Sequence, residues 1–204
     1  MNRPRLLLAD DHKIVLEGLR NLLKDEFEIV GTVEDGRALV SAAKRLDPDV
    51  IVVDISMPLL NGIEAIEQLR KAGSRAKVIF LTMHSDMTYA TRAFEVGASG
   101  YVLKHSAPSE LITAIRQVLK GESFFPRQYS RERFSRKPVV QLTPRQREVL
   151  QLLAEGRSAK EIASILNISS RTAEFHKYRM MHDLRLKTNA ELIQYAIKHG
   201  VVTV

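Results

Sequence analysis

Apolar positions in the first 121 residues alternate between two spacings. Short apolar runs typical of strands occupy residues 5–9, 28–33, 50–53, 77–82 and 100–103. Segments with apolar residues at helical spacing lie between and after them, at 15–23, 38–46, 62–72, 87–96 and 109–119. Because crossovers between parallel strands are right-handed, five such units predict an α/β fold: a doubly wound, five-stranded parallel sheet with helices on both faces.

The pattern changes after residue 121, where strand signals stop. Residues 122–141 are rich in arginine and flanked by Pro126 and Pro138, which indicates a linker with room for one short helix. Three capping boxes then mark helix starts: Thr143 with Gln146, Ser158 with Glu161, and Thr188 with Glu191. Ser169 is expected to cap a further helix over 170–184. The prediction is a domain at 1–121, a linker at 122–141 and a second, smaller all-α domain at 142–204.

Charge separates the same two halves. Residues 1–121 hold 16 Lys and Arg against 16 Asp and Glu, whereas the remainder holds 15 against 8, so the whole net charge of +7 lies there. This excess indicates either a partner that is a polyanion or only a solvated basic face. The chain has no cysteine, which excludes disulfides and thiolate metal sites. No apolar run approaches the ~20 residues that span a bilayer, so we expect no membrane contact and a cytoplasmic location.

Acidic residues follow two of the predicted strands. Asp10 and Asp11 follow the first, and Asp54 follows the third. If the strand order is 2-1-3-4-5, these strands are neighbours and the carboxylates meet where the order reverses. Two charges about 4 Å apart repel by roughly 4 kcal/mol at an effective dielectric of 20, so either a cation lies among them or their pKa values rise. Oxygen ligands favour Mg²⁺, and a metal beside Asp54 would let this carboxylate attack a phosphoryl group.

Two other strands end on residues that suit the same chemistry. Thr82 closes the fourth strand with a hydroxyl, and Lys104 follows the fifth with an ammonium group able to pair with a phosphoryl group. Each residue alone has a plain interpretation, as a helix cap, a strand end or a surface charge. Their shared position at one end of four strands favours a common site.

Residues 3–121 resemble the receiver domain of response regulators. The motifs are the acidic pair at 10 and 11, Asp54 followed by Met57-Pro58 and Asn61-Gly62, Thr82, and Gly100-Tyr101-Val102-Leu103-Lys104. The resemblance implies a flavodoxin-like fold, a phospho-acceptor at Asp54, and Mg²⁺ held by Asp11, Asp54 and the backbone carbonyl of Ser56, with Asp10 acting through water. It also implies that Thr82 and Tyr101 form a switch pair, in which the hydroxyl turns toward the phosphoryl group and the ring follows inward.

A phosphohydrolase that forms an aspartyl-phosphate is a rival interpretation. The haloacid-dehalogenase pattern has a second Asp two residues after its nucleophile, as general acid and base. That position is Ser56 here, and a serine hydroxyl does not serve this role at neutral pH. We therefore expect no enzyme, but a phospho-acceptor with at most slow self-dephosphorylation.

Residues 160–184 carry the pattern of a helix-turn-helix, with a short turn at 167–169. In the second helix Ala173, Met180 and Leu184 are spaced to pack inward. Arg171, Glu174, Phe175 and Tyr178 form the opposite stripe, with Lys177, Arg179, Arg185 and Lys187 beside it. The stripe would enter the major groove of DNA, with the cations on phosphates. A three-helix protein-interaction module is the alternative.

Residues 141–200 resemble the LuxR-type DNA-binding domain. The motifs are Leu142-Thr143-Pro144-Arg145, Arg147-Glu148-Val149-Leu150, Lys160-Glu161-Ile162-Ala163, Ile168-Ser169, Thr172 and His176. The residues expected to contact DNA are Lys160, Arg171, Thr172, Glu174, Phe175, His176, Lys177, Tyr178, Arg179 and Lys187. Many members have Thr-Val-Lys before the histidine, whereas this chain has Thr172-Ala173-Glu174-Phe175, which predicts an unusual operator.

Together the two domains resemble the NarL/FixJ group of two-component response regulators. The resemblance implies phosphorylation of Asp54 by a sensor histidine kinase, which controls dimerisation and sequence-specific binding to double-stranded DNA. A homodimer on DNA is expected, and RNA polymerase is a further candidate partner. Leu192, Ile193, Ala196 and Ile197 of the last helix either form the dimer contact or complete the small domain's core. The alternative function is DNA binding independent of phosphorylation, with the receiver used only for dimerisation.

Overall fold

Five parallel strands form one sheet in the order β2-β1-β3-β4-β5, which confirms the predicted topology. They are β1 Arg5–Ala9, β2 Glu28–Val33, β3 Val50–Val53, β4 Lys77–Thr82 and β5 Gly100–Leu103. The computed structural model describes residues 3–85, 87–126, 142–198 and 201. These residues form two compact units, which the gap between residues 126 and 142 separates.

Helices cover both faces of the sheet. They are α1 Lys13–Leu23, α2 Gly36–Leu46, α3 Gly62–Lys71, α4 Met87–Glu95 and α5 Ala107–Leu119. One apolar core joins α2, α3 and α4 to the strands, and the other joins α1 and α5 to them. Successive strand side chains alternate between these cores, as Leu6 and Leu7 do. All four residues of β3 are buried, as expected for a strand covered on both sides.

The start of α3 lies directly against the end of β3. Asn61 caps α3, because its side chain accepts a hydrogen bond from the backbone N–H of Glu64 at 3.0 Å. The backbone N–H of Gly62 donates to the carbonyl of Ile55 at 2.9 Å. A Cβ on Gly62 would lie 2.0 Å from the carbonyl oxygen of Asp54. Glycine is therefore required here for α3 to approach the residue that follows β3.

The first residues of the predicted linker pack on this unit. The backbone N–H of Phe124 donates to the carbonyl of Ser99 at 3.0 Å, and its carbonyl accepts from the N–H of Tyr101 at 2.8 Å. These bonds form a parallel bridge at the outer edge of β5. The adjacent Phe125 packs against Phe94 of α4 with ring centroids 6.0 Å apart. The rest of the linker, 127–141, with its predicted short helix, lies outside the described residues.

Four helices are described in the second unit: α6 Pro144–Ala154, α7 Ala159–Leu166, α8 Ser170–Asp183 and α9 Asn189–Lys198. The capping boxes at Thr143 and Ser158 are confirmed. The third capping box, at Thr188, is confirmed only in its first half, in which Thr188 Oγ1 accepts from the N–H of Glu191 at 3.2 Å. In the second half the prediction is wrong, because the Glu191 carboxylate accepts from the N–H of Lys187 at 2.6 Å instead of from that of Thr188. The carboxylate thus reaches back one residue further than a capping box requires.

A tight turn joins α7 to α8, as the helix-turn-helix pattern predicted. Asn167 has a positive φ of 52° and ends α7, and Ser169 caps α8 by accepting from the N–H of Thr172 at 3.0 Å. Ala173 and Met180 are buried beneath α8 and Leu184 is partly buried, in agreement with the inward face predicted for them. Within the part of the chain that the structure describes, no helix is both long and apolar enough for a membrane crossing.

Candidate functional site

Two buried carboxylates meet at the carboxyl end of the sheet. Asp10 follows β1 and Asp54 follows β3, and these strands are paired so that Ala9 lies opposite Val53. The backbone N–H of Asp54 donates to the carbonyl of Ala9 at 2.8 Å, which fixes the two carboxylates at one edge. Asp10 is 1% exposed and Asp54 is 4% exposed. Two buried acids so placed require a counter-charge.

Lys104 supplies that charge. It follows β5, and its Nζ lies 2.7 Å from Asp10 Oδ2 and 2.7 Å from Asp54 Oδ2. Burial alone would lower the pKa of Lys104, but Asp54 and Asp10 together raise it above its ordinary value. Burial raises the pKa of Asp54, an effect that Asp10 increases and that Lys104 and the backbone N–H of Ser56 oppose. The lysine is thus firmly charged, while one cation does not fully compensate the buried Asp54.

The remaining oxygens of this acidic cluster suit a hard cation. Oδ1 of Asp54 is buried and has no hydrogen-bond partner of good geometry among the described residues. Asp11 is more exposed, and its Oδ1 lies 2.8 Å from Nδ1 of His12. Potential ligand atoms of Asp10, Asp11 and His12 lie within 4.8 Å of one another. Asp54 lies outside that group and is linked to Asp10 through Lys104. Carboxylate oxygens at this edge of the sheet are the donor type that Mg²⁺ prefers.

The predicted switch pair converges on a residue that sequence reasoning missed, His84. Thr82 is fully buried, and its Oγ1 accepts from the N–H of His84 at 3.2 Å. Tyr101 is also fully buried, and its hydroxyl donates to the carbonyl of His84 at 2.7 Å. The imidazole Nε2 lies 2.8 Å from Ser56 Oγ, and the ring stacks on Tyr89 at 4.2 Å. Its only signal in the sequence is its place two residues after Thr82.

The outer surface of α8 is both aromatic and charged. Phe175 is 58% exposed and Tyr178 is 60% exposed, although large apolar side chains usually lie inside. Arg171 and Glu174 are exposed on the same stripe. The structure therefore places the four residues of the predicted stripe on the surface. We call them the α8 outer stripe.

The other residues predicted to contact DNA divide into two groups. Lys160, Lys177, Arg179 and Lys187 have side chains that reach solvent, with Nζ of Lys177 lying 4.6 Å from the ring of Tyr178 and Arg179 pairing with Asp183. Thr172 and His176 are partly buried and interact with other residues of the second unit. Thr172 Oγ1 is 2.8 Å from Ser169 Oγ at the helix cap. Burial lowers the pKa of His176, and the nearby Arg145 adds to this effect.

The apolar residues of α9 also divide. Leu192 and Ala196 are buried, so they complete the core of the second unit. Ile193 is partly buried, and Ile197 is 39% exposed. The core interpretation is therefore correct for two of the four, and Ile197 remains on the surface.

Two family models match the chain, one in each unit. The response regulator receiver domain matches residues 6–116, and the luxR family of bacterial regulatory proteins matches residues 140–196. The transcriptional regulatory protein MctR of Rhizobium johnstonii is 38% identical over 98% of this chain and 95% of its own length. The response regulator UvrY of Escherichia coli is 30% identical over 96% of this chain and 94% of its own.

Solved structures give the same assignment. The RcsB response regulator of Salmonella typhimurium matches with a TM-score of 0.69 and 33% identity, over 98% of this chain and 99% of that one. A structure of two RcsB dimers bound to two parallel DNAs matches with a TM-score of 0.59 and 33% identity, over 95% and 98% of the two chains. The two family models thus match the two units of this chain, and these relatives align with it along nearly their whole length. The chain belongs to the NarL/FixJ group of two-component response regulators.

Proposed function

We propose that Asp54 accepts a phosphoryl group from the phosphohistidine of a sensor histidine kinase. Phosphorylation then controls dimerisation and sequence-specific binding of double-stranded DNA by the second domain, and so regulates transcription. The observation that carries this proposal is the ammonium of Lys104, 2.7 Å from both Asp54 and Asp10. It binds negative charge at the acceptor carboxylate, where a phosphoryl group would add about −1.5 to −2.

The transfer requires a carboxylate oxygen of Asp54 to attack phosphorus while the bond from phosphorus to the kinase's imidazole nitrogen breaks. Asp54 is 4% exposed and its Oδ2 contacts Lys104, so side chains over it must move before a donor can approach. Lys104 can move away from Asp54 by rotation of its flexible side chain, without a change in the backbone. Once the acyl phosphate has formed, the same ammonium can pair with a phosphoryl oxygen.

Mg²⁺ would be held by Asp10, Asp11, Asp54 and the backbone carbonyl of Ser56. When bound, it would neutralise the carboxylates and the phosphoryl oxygens during transfer. The unpartnered buried oxygen of Asp54 supports this assignment, as does the placement of the acids at one edge of the sheet. Ser56 is included by its position two residues after the acceptor, as in other receivers.

The contacts of His84 suggest how the modified site would act on the rest of the receiver. A movement of Thr82 toward the phosphoryl group would be transmitted to His84 through the 3.2 Å bond to its N–H. His84 would transmit it to Tyr101 and to the stacked Tyr89 of α4. A coupling of about 1–3 kcal/mol between the acceptor site and the dimerising surface would change DNA occupancy by about 5–150-fold.

The second domain would place α8 in the major groove. The exposed cations beside the α8 outer stripe would contact phosphates, and the stripe itself would face the bases. The RcsB dimers bound to DNA support a homodimer that presents two such helices to adjacent half-sites. RNA polymerase would be contacted by the protein bound at a promoter.

One observation favours a second candidate function, DNA binding that does not depend on phosphorylation. Tyr101 is fully buried, and its hydroxyl is already bonded to the carbonyl of His84 at 2.7 Å. If these contacts hold the inward ring by themselves, the receiver would serve only for dimerisation.

A comparison of wild type with Asp54→Asn distinguishes the two candidate functions. DNA affinity and association state would be measured for each with Mg²⁺, with and without acetyl phosphate as the donor. The first proposal expects the donor to raise affinity and dimerisation of wild type alone, with Asp25→Asn, a change of an exposed carboxylate after α1, responding as wild type does. Equal affinity for all samples would overturn phosphorylation control and support the second candidate.

A further inference from the structure

Glu174 differs from every other acidic residue in the described part of the second unit, 142–198. The other five have hydrogen-bond or ion-pair partners: Glu148 with Arg145, Glu155 with Gln151, Glu161 with Ser158, Asp183 with Arg179, and Glu191 with Lys187 N–H. Glu174 is exposed and makes no such contact within those residues. Cations lie one helical turn away on either side, at Arg171 and Lys177. The carboxylate is therefore available to a ligand.

Glu174 shares its helix face with two exposed aromatic rings. Phe175 is adjacent, and Tyr178 follows one turn later at i+4. Neither ring is needed for the core, which α8 reaches through Ala173 and Met180. Exposure of 58% and 60% leaves apolar area in water that binding would bury. The carboxylate and the two rings thus form one surface on the helix proposed to enter DNA.

We propose that Glu174 and Phe175 select the operator, with cytosine facing Glu174 and thymine facing Phe175 in each half-site. This rests on the proposed function, because it assumes that α8 lies in the major groove. Cytosine presents an amino group there that can donate to a carboxylate, and thymine presents a methyl group that an aromatic ring can contact. Tyr178 lies one turn further along the same helix, with Nζ of Lys177 lying 4.6 Å from its ring.

The carboxylate selects mainly by rejection. Guanine and the thymine carbonyl present acceptors in the major groove, and adenine presents an acceptor beside its amino group. A carboxylate brought into a groove lined by phosphates is repelled unless a base donor meets it. Glu174 therefore weakens binding to every sequence without a suitable amino group at that position. A wrong base there should reduce affinity by about 5–150-fold, as mismatches in specific sites do.

The test is selection of binding sites from a random duplex library by the full chain with Mg²⁺ and acetyl phosphate. Wild type is compared with Glu174→Gln and with the control Glu155→Gln, an equal charge change at an exposed acid outside α8. We expect wild type and the control to select cytosine at one position of the half-site, and Glu174→Gln to lose that preference there alone. An unchanged preference in Glu174→Gln would overturn the assignment of Glu174.

A second measurement tests the role of Phe175 by a change in the DNA, which leaves the fold of the protein unaffected. Replacing the selected thymine by uracil removes only its methyl group, and loss of one buried methyl should weaken wild-type binding about fourfold. Phe175→Ser should bind the thymine and uracil duplexes equally. Equal binding of both by wild type would overturn the assignment of Phe175. If wild type selects no sequence and shows no salt-dependent duplex binding, the proposed function fails together with this inference.

Discussion

Replacing Lys104 by methionine tests the charge balance of the two buried carboxylates, Asp10 and Asp54. Methionine retains much of the side chain's length but removes the ammonium, so two buried carboxylates lose the cation that lies 2.7 Å from each. We expect a large loss of receiver stability. The loss should depend on pH, because protonation of one carboxylate is the alternative way to remove the repulsion.

The magnitude follows from the geometry. Each 2.7 Å contact is worth at most about 6 kcal/mol at an effective dielectric of 20, and burial of the charges offsets most of this. Breaking a buried pair typically costs about 3–5 kcal/mol. Protonating an ordinary Asp, with a pKa of about 3.9, costs about 4.2 kcal/mol at pH 7, which limits the loss. We therefore expect about 3–4 kcal/mol at pH 7.

The stability loss of Lys104→Met should change with pH in one direction only. In folded Lys104→Met, one of the two buried carboxyls would be protonated, because the pKa of that carboxyl would lie above its value in the unfolded chain. The loss of stability relative to wild type is therefore greatest at high pH. Between pH 7 and pH 5 the deficit should shrink by about 1.4 kcal/mol per pH unit. Mg²⁺ bound to the folded variant should stabilise it against unfolding, by about 2.7 kcal/mol at a hundredfold excess over the dissociation constant.

Urea unfolding of the full chain, followed by circular dichroism, measures these differences. The matched control is Lys71→Met, because Lys71 is 60% exposed and pairs with Glu67 at 2.8 Å on the surface of α3. Its loss should be below about 1 kcal/mol and independent of pH in this range. A Lys104→Met loss as small as that of the control, or one that does not change between pH 7 and pH 5, would refute the reasoning.

Three further predictions concern single positions. Gly62→Ala would place a methyl carbon 2.0 Å from the carbonyl oxygen of Asp54, so urea unfolding should show a loss of about 1–3 kcal/mol; undiminished stability would contradict the close approach. His176 should titrate by NMR below the ordinary value of about 6.5, because burial and Arg145 lower its pKa, and Arg145→Gln should raise that pKa without fully restoring it. Because the folded state favours its neutral form, His176 should cost stability as pH falls below about 6.5, and a pKa above that value would reverse the sign. Thr143→Ala removes the α6 cap and should cost about 1 kcal/mol in thermal unfolding, whereas Thr143→Ser should cost little.

The strands could be located from the sequence, but several helix starts could not. All five strand bounds agree with the predictions. Four of the strands are almost wholly buried apolar runs, whereas β2, at the edge of the sheet, is only partly buried. Helices α1, α2 and α5 each begin two residues before the predicted start. At α2 the first turn is stabilised by a cap, because Asp35 accepts from the N–H of Ala38 at 2.8 Å, whereas α1 and α5 have no side-chain cap hydrogen bond. Hydrophobic periodicity gave no signal at the first-turn residues of these three helices.

The acidic cluster could be predicted for a topological reason, and the contacts around it could not. Parallel strands direct their carboxyl ends to one edge, so Asp10, Asp54 and Lys104 meet once the strand order is known. His12 and His84 lie in the segments after β1 and β4, where no periodicity constrains side-chain direction. Their partners depend on how neighbouring loops pack, which a single sequence does not encode in any local pattern.

If Asp54 is phosphorylated as proposed, the position of His84 bears on whether the site can respond without breaking its present contacts. A threonine hydroxyl has one hydrogen to donate and two lone pairs to accept with. Thr82 uses one lone pair to accept from the N–H of His84 at 3.2 Å, which leaves its hydrogen available for a phosphoryl oxygen. Thr82 could therefore bind the modified Asp54 and remain attached to His84. Because His84 also holds Tyr101 and Ser56, a shift of one hydroxyl would move both sides of the site together.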